Sequence, residues 1–161
     1  MAISGDQYKQ TLAQWPSGVT IVTSRSGDRV QGMTVSAFNE VSLDPPLVLI
    51  CADKATITNE LIQASGVFSV SILAQGQDDL SNRFASKKHE HERFKGLDCE
   101  DGATRCPRIP GAVAWLDCKV QQTVDAGDHL VHIGEIQASE VSDRPPLVYF
   151  RQTYGQLSSK S

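Results

Sequence analysis

The stretch Gly32–Val48, GMTVSAFNEVSLDPPLV, gathers a glycine, hydroxyls at Thr34, Ser36 and Ser42, and mostly short side chains, and a double proline closes it. Small residues let backbone come close to a flat ligand, and hydroxyls with exposed backbone N–H groups can hold an anion. The same string equally describes a β-strand followed by a proline-bounded turn. A second candidate is His129, which follows Ala126-Gly127-Asp128. A lone histidine at a strand start is either a hairpin residue or a ring positioned for a ligand. Lys54, Arg83, Lys87 and Lys88 are the cations near these segments that could meet a phosphate. The cysteines (Cys51, Cys99, Cys106 and Cys118) form no CxxC pair, and with His89 and His91 they match no usual zinc spacing. Free thiols in a reducing compartment are therefore expected.

Composition narrows the setting for this chemistry. The chain has 161 residues, 40% hydrophobic and 21% charged, with a net charge of −4. These are ordinary globular values, and one domain over residues 1–161 is expected to bury its own core. The acidic balance argues against a general nucleic-acid surface, so any phosphate must meet a local group of donors. No segment approaches the roughly 20 apolar residues of a membrane helix. The beginning, MAISGDQYKQ, is polar and does not look like a signal peptide, so a cytoplasmic protein is expected.

The elements that must position these residues follow from periodicity. Tyr8, Leu12 and Trp15 share helical spacing over Asp6–Trp15, with Asp6 as the candidate cap. Val19–Ser24 and the segment from Arg29 predict two strands around the Ser26-Gly27-Asp28 turn. Leu47–Ala52, LVLICA, is a continuous apolar run and predicts a strand buried on both faces. Thr56–Ala64 predicts a helix stopped at Ser65-Gly66, Val67–Leu73 a strand, and Gln77–Ser86 a helix carrying Leu80, Phe84 and Ala85 inward. Lys87–Gly111, with its KKHEHER run, predicts a solvated surface excursion with short helical pieces. Ala112–Val124 and Leu130–Val141 predict long strands joined by a hairpin turn, and Leu147–Phe150 a last one. Six or seven strands with two or three short helices predict a mainly β fold, a largely antiparallel barrel.

The segments GVTIVT (18–23), GMTVSAF (32–38), SLDPPLV (42–48), SGVFSVSIL (65–73), LSNRFA (80–85) and AGDH (126–129) leading into Ile133-Gly134-Glu135 occur in one order. In that order the chain resembles the short-chain flavin reductases, the small components of two-component flavin monooxygenases. The likeness spans residues 15 to 150. It implies an FMN-binding split barrel, antiparallel and Greek-key-like, usually a homodimer. It also implies hydride transfer from NADH or NADPH to FMN or FAD, with reduced flavin leaving for an oxygenase.

Carried over by position, Met33, Thr34, Val35, Ser36 and Ala37 would line the isoalloxazine ring and bond its polar edge. Cys51, Ala52, Asp53 and Lys54 with Thr56 would follow the ribityl chain and phosphate. Asn82, Phe84 and Ala85 would complete the pocket beside Arg83, while His129 would meet the nicotinamide with Tyr154 as a second contact. Such chemistry resides in the cofactors; the protein supplies proximity, exclusion of water and donors for developing charge. No GxSxG or GxGxxG motif is present, so the nicotinamide would bind without a Rossmann domain. Two other readings share the barrel: an oxidase like the pyridoxamine-phosphate oxidases, and a non-catalytic flavin carrier. The AGDH match favours the reductase, because a carrier needs no nicotinamide contact. Thr56 stands where many relatives have serine, and Lys87–Pro110 matches no motif of the family.

Overall fold

The computed structural model describes residues 2–88 and 90–158. Helix α1 (Gly5–Leu12) leads into the short strand β1 (Ser17–Gly18), then β2 (Thr20–Ser26), β3 (Arg29–Val35), β4 (Phe38–Ser42) and β5 (Leu47–Asp53). Helix α2 (Ile57–Ser65), β6 (Val67–Ile72) and α3 (Asp78–Ala85) follow. A single 3-10 turn (Glu90–Glu92) and the two-residue strands β7 (Glu100–Asp101) and β8 (Pro107–Arg108) precede the long hairpin β9 (Ala114–Ala126) and β10 (His129–Val141). The chain then forms β11 (Val148–Phe150) and β12 (Thr153–Gly155).

Seven strands form one antiparallel sheet in the order β3-β2-β6-β9-β10-β5-β4. Its two edges, β3 and β4, are consecutive in the chain and joined only by Ser36-Ala37. Among the described residues no ladder pairs β3 with β4, so the barrel is split at that link. The hairpin between β9 and β10 turns at Gly127, whose φ of 68° suits a residue without Cβ. Gly134 in β10 is needed for a different reason. A Cβ there would lie 2.6 Å from the Phe68 ring, at a register shift between Ile133 and Gly134.

The core lies on both sides of β2. Val22 packs with Met33, Val35, Ile50, Ile62 and Phe68 inside the barrel, whereas Val19 and Ile21 pack with Leu73, Phe84, Ile109 and Leu147 outside it. Strand β2 is buried on both faces, with Thr20 through Ser24 all buried, and so is β6 over Phe68, Ser69, Val70 and Ser71. The β2 hydroxyls are bonded to carbonyls: Thr20 to Val35 at 2.7 Å, Thr23 to Pro107 at 2.6 Å and Ser24 to Val67 at 2.8 Å. The LVLICA strand, expected to be buried on both faces, instead alternates. Val48, Ile50 and Ala52 are buried, and Leu47, Leu49, Cys51 and Asp53 are only half-buried. Helices α2 and α3 and strand β8 pack against β2, whereas among the described residues the only helix packed against β5 is α2, and less closely.

Other boundaries differ for local reasons. Helix α1 is capped by Ser4 rather than Asp6: Gln7 N–H donates to Ser4 Oγ at 3.1 Å and Ser4 N–H donates to Gln7 Oε1 at 3.0 Å. It ends at Leu12, and Trp15 is 74% exposed. Thr56, expected as the first residue of helix α2, is instead its cap, and Phe84 of α3 is buried while Ala85, expected to point inward, is exposed. Among the described residues no helix is long and apolar enough to cross a membrane.

Candidate active site

The split places a cavity of about 250 Å³ beside the β3–β4 link. Met33, Thr34 and Val35 from the end of β3 form one wall with Ser36 and Ala37. Cys51 and Asp53 from β5, Thr56 at the head of α2 and His129 at the start of β10 form another. Phe84 and Ala85 from α3 close a third side, where Lys87, Glu90 and Arg93 continue the lining.

Alternation along β5 explains which of its residues take part. Cys51 and Asp53 point to the cavity side, while Ala52 is fully buried in the core and does not line it. Thr34 is partly committed, its hydroxyl donating to Ser81 O at 2.6 Å. The N–H groups of Ser36 and Ala37 and the Ser36 hydroxyl have no hydrogen-bond partner among the described residues, although both residues line the cavity. Here is a set of donors with no protein acceptor, next to the apolar side chains of Met33, Val35 and Phe84. A flat, polar-edged heterocycle such as a flavin fits that donor set.

His129 is presented by the β9–β10 hairpin opposite Asp53 in the ladder register. Its Nδ1 lies 2.7 Å from Asp128 Oδ1. The His129 hydrogen bond holds the Asp128 carboxyl below its ordinary range. Lys54 does not reach the cavity. Its ammonium donates to both Asp125 carboxylate oxygens at 2.8 Å and to Gly127 O at 2.7 Å, which clamps the hairpin that carries His129. Arg83 is likewise committed, donating through Nη2 to Glu92 O and, at 2.6 Å, to Lys95 O. Lys88 does not line the cavity either. Lys87 does, and its ammonium is only 3.9 Å from the Asp53 carboxylate. Burial raises the Cys51 thiol, so it is protonated and inert at neutral pH.

Asn82 and Tyr154 belong to a neighbouring cavity of about 230 Å³, which shares Thr34, Ser36 and Ala85 with the first. The Tyr154 hydroxyl lies 2.8 Å from Ser81 Oγ and 2.9 Å from Asn82 Oδ1, tying the C-terminal hairpin to α3. Tyr154 therefore does not share a cavity with His129. Of the expected site residues, Ala52, Lys54, Asn82, Arg83 and Tyr154 stand outside the main cavity.

Lys87, Glu90 and Arg93 form a wall that the sequence motifs did not assign. The KKHEHER run is not only a solvated surface: Arg93 is 4% exposed. A periodicity argument had no purchase there, because the segment is neither strand nor regular helix. The four cysteines are free thiols, and among the described residues no group of His, Cys, Asp or Glu is placed to hold a metal ion. His89, which the sequence raised in that context, lies outside the described residues.

Known proteins resemble this chain along most of its length. Residues 12–158 match the family model described as "Flavin reductase like domain". The reductase component of 4-hydroxyphenylacetate 3-monooxygenase from Thermus thermophilus is 35% identical over 153 residues, 94% of this chain and 96% of that protein. An NADH-dependent flavin reductase of Rhodococcus sp is 36% identical, covering 92% of this chain and 84% of the relative. Among solved structures, the NADH:FAD oxidoreductase SgcE6 of Streptomyces globisporus in complex with NAD and FAD fragments superposes with a TM-score of 0.90 at 30% identity, covering 98% of this chain and 97% of that one. The chain belongs to the flavin reductase like family, and its fold is the mainly β, antiparallel fold of those flavin reductases.

Proposed function

We propose that the protein is an NAD(P)H-dependent flavin reductase that transfers a hydride from NADH or NADPH to FMN or FAD. The observation that carries this reading is the pairing, in one cavity, of unpartnered Ser36 and Ala37 N–H donors with the His129 ring. When bound, the flavin supplies the hydride-accepting chemistry and the nicotinamide supplies the hydride. The protein's part is placement. Ser36 and Ala37 would hold the polar edge of the ring through their N–H groups, beside the apolar side chains of Met33 and Val35. Phe84 excludes water from one side. His129, its Nδ1 proton held by Asp128, offers its other nitrogen to the nicotinamide side of the cavity. No side chain acts as a nucleophile.

Cys51, Asp53 and Thr56 form the wall for the ribityl chain, and Lys87 is the cation for the phosphate. Lys54 and Arg83 are spent elsewhere, and Asp53 would repel a phosphate unless Lys87 stood beside it. The names of the relatives support an oxygenase partner served by reduced flavin, since several are monooxygenase reductase components. On the same likeness we infer a homodimer working in the cytoplasm, with no nucleic-acid or membrane partner. Residues 1–161 act as one domain. Nucleotide oxidation that depends on added flavin tests the activity. A rate with NADH or NADPH that rises with FMN or FAD and saturates is expected, and a rate indifferent to flavin would contradict it.

A further inference from the structure

Arg93 is a buried cation in a segment otherwise rich in exposed charge. Its Nη1 donates to Gly32 O at 2.8 Å, and its Nη2 donates to Ser86 O at 2.6 Å and to Glu90 Oε1 at 3.1 Å. Its Nε is buried in the cavity wall without a partner. Gly32 lies on the edge strand β3, directly before the first cavity residue Met33. Gln31 also donates, at 3.4 Å, to Glu90 O, and Arg83 on α3 holds the carbonyls of Glu92 and Lys95. Residues 86–88 and 90–97 are thus a strap, tied to β3 at one side and to α3 at the other. Phe94 of this strap packs edge-on against Phe84 with ring centroids 5.2 Å apart. Lys87 sits at the head of the strap, one residue after the Ser86 carbonyl that Arg93 holds.

We propose that Arg93 is a positioning residue for flavin binding: by fixing Ser86 against Gly32 it holds Lys87 over the cavity, where Lys87 meets the flavin phosphate. A guanidinium can do this because its planar fork bonds two carbonyls and a carboxylate at once. A lysine in its place keeps the charge but loses the fork. The inference rests on the flavin reading above and adds a residue that acts through another and need not touch the ligand.

The test uses FMN and riboflavin, which differ only in the phosphate, with dissociation constants read from flavin fluorescence on the whole protein. Lys87→Ala, on a mostly exposed side chain, is expected to weaken FMN about tenfold and leave riboflavin unchanged. Arg93→Lys is expected to weaken FMN by a similar factor and riboflavin little. The double variant is expected to be no weaker than the worse single variant, because the two residues serve one contact. Wild-type FMN affinity in Arg93→Lys, an equal loss on FMN and riboflavin, or losses that multiply in the double variant would each overturn the proposal. If Arg93→Lys does not fold, Arg83→Gln, which frees the other end of the strap, is held to the same outcomes. Wild-type protein that binds neither flavin would instead overturn the flavin reading, and this inference with it.

Discussion

Nδ1 of His129 lies 2.7 Å from Oδ1 of Asp128, so the hairpin turn that starts β10 also orients the ring that faces the cavity. The Nδ1 proton is assigned from that partner, and Nε2 is left for a ligand. Lys54 secures the same turn from β5 through Asp125 and Gly127 O. His129→Ala should raise the nucleotide KM or lower turnover about tenfold while flavin affinity is unchanged. Asp128→Asn should move the same parameters the same way, by less. Steady-state kinetics and a flavin titration on the two variants check this, and unchanged kinetics in His129→Ala would remove the ring from the site.

His132, three residues further along β10, is wholly buried between Thr123 Oγ1 at 2.9 Å and Asn59 Oδ1 at 2.8 Å. One neutral tautomer satisfies both, with Nε2 donating to Asn59 and Nδ1 accepting from Thr123. Burial pushes the imidazole below its ordinary value of 6.5. Above that pH both folded and unfolded chains carry it neutral, and it adds no pH dependence. Below it the unfolded chain takes up a proton that the folded protein excludes. Stability should therefore fall as pH drops beneath the unfolded value, by up to about 1.4 kcal/mol per pH unit. Urea midpoints across that range should fall less steeply in His132→Gln than in the parent protein.

Asp117 anchors the 98–108 loop to β9. Its fully buried carboxylate accepts from Arg108 Nη2 at 2.5 Å, Arg108 Nε at 3.2 Å, Ala103 N–H at 3.1 Å and Thr104 Oγ1 at 3.2 Å. Asp117→Ala would leave Arg108 without its main partner and should cost about 3–5 kcal/mol by chemical denaturation. Because the loop does not line the cavity that holds His129, the folded fraction should keep its flavin affinity.

The strands and helices were legible where one face is wet and the other dry, as in Thr56–Ala64 and the first half of β10. The double-sided burial of Thr20–Ser24 was not, because its hydroxyls look polar until their carbonyl partners are known. LVLICA misled in the opposite direction, since an apolar run says nothing about whether a second layer covers it. Of the residues singled out in the sequence, Met33–Ala37, Cys51, Asp53, Thr56, Phe84, Ala85 and His129 line one cavity. Of the strap residues, Lys87 stood among the candidate phosphate cations, whereas Glu90 and Arg93 were missed. An arginine in a charge run signals burial only through the long-range carbonyl of Gly32, 61 residues away in sequence.

Phe84 joins core and cavity: it is fully buried, touches Phe94 of the strap and lines the cavity that holds His129. Phe84→Ala should cost about 3–5 kcal/mol and also weaken flavin binding. Thermal midpoint and flavin titration together check this. A loss of stability with unchanged flavin affinity would show that the ring serves the core alone.

The most direct test of the central claim is anaerobic mixing of the pure protein with free flavin and NADH, then with NADPH, following the yellow flavin absorbance. Bleaching at a rate proportional to enzyme, with at least one of the two nucleotides, is the expected result. No bleaching beyond the uncatalysed rate with either nucleotide, for both FMN and FAD, would contradict the reductase assignment.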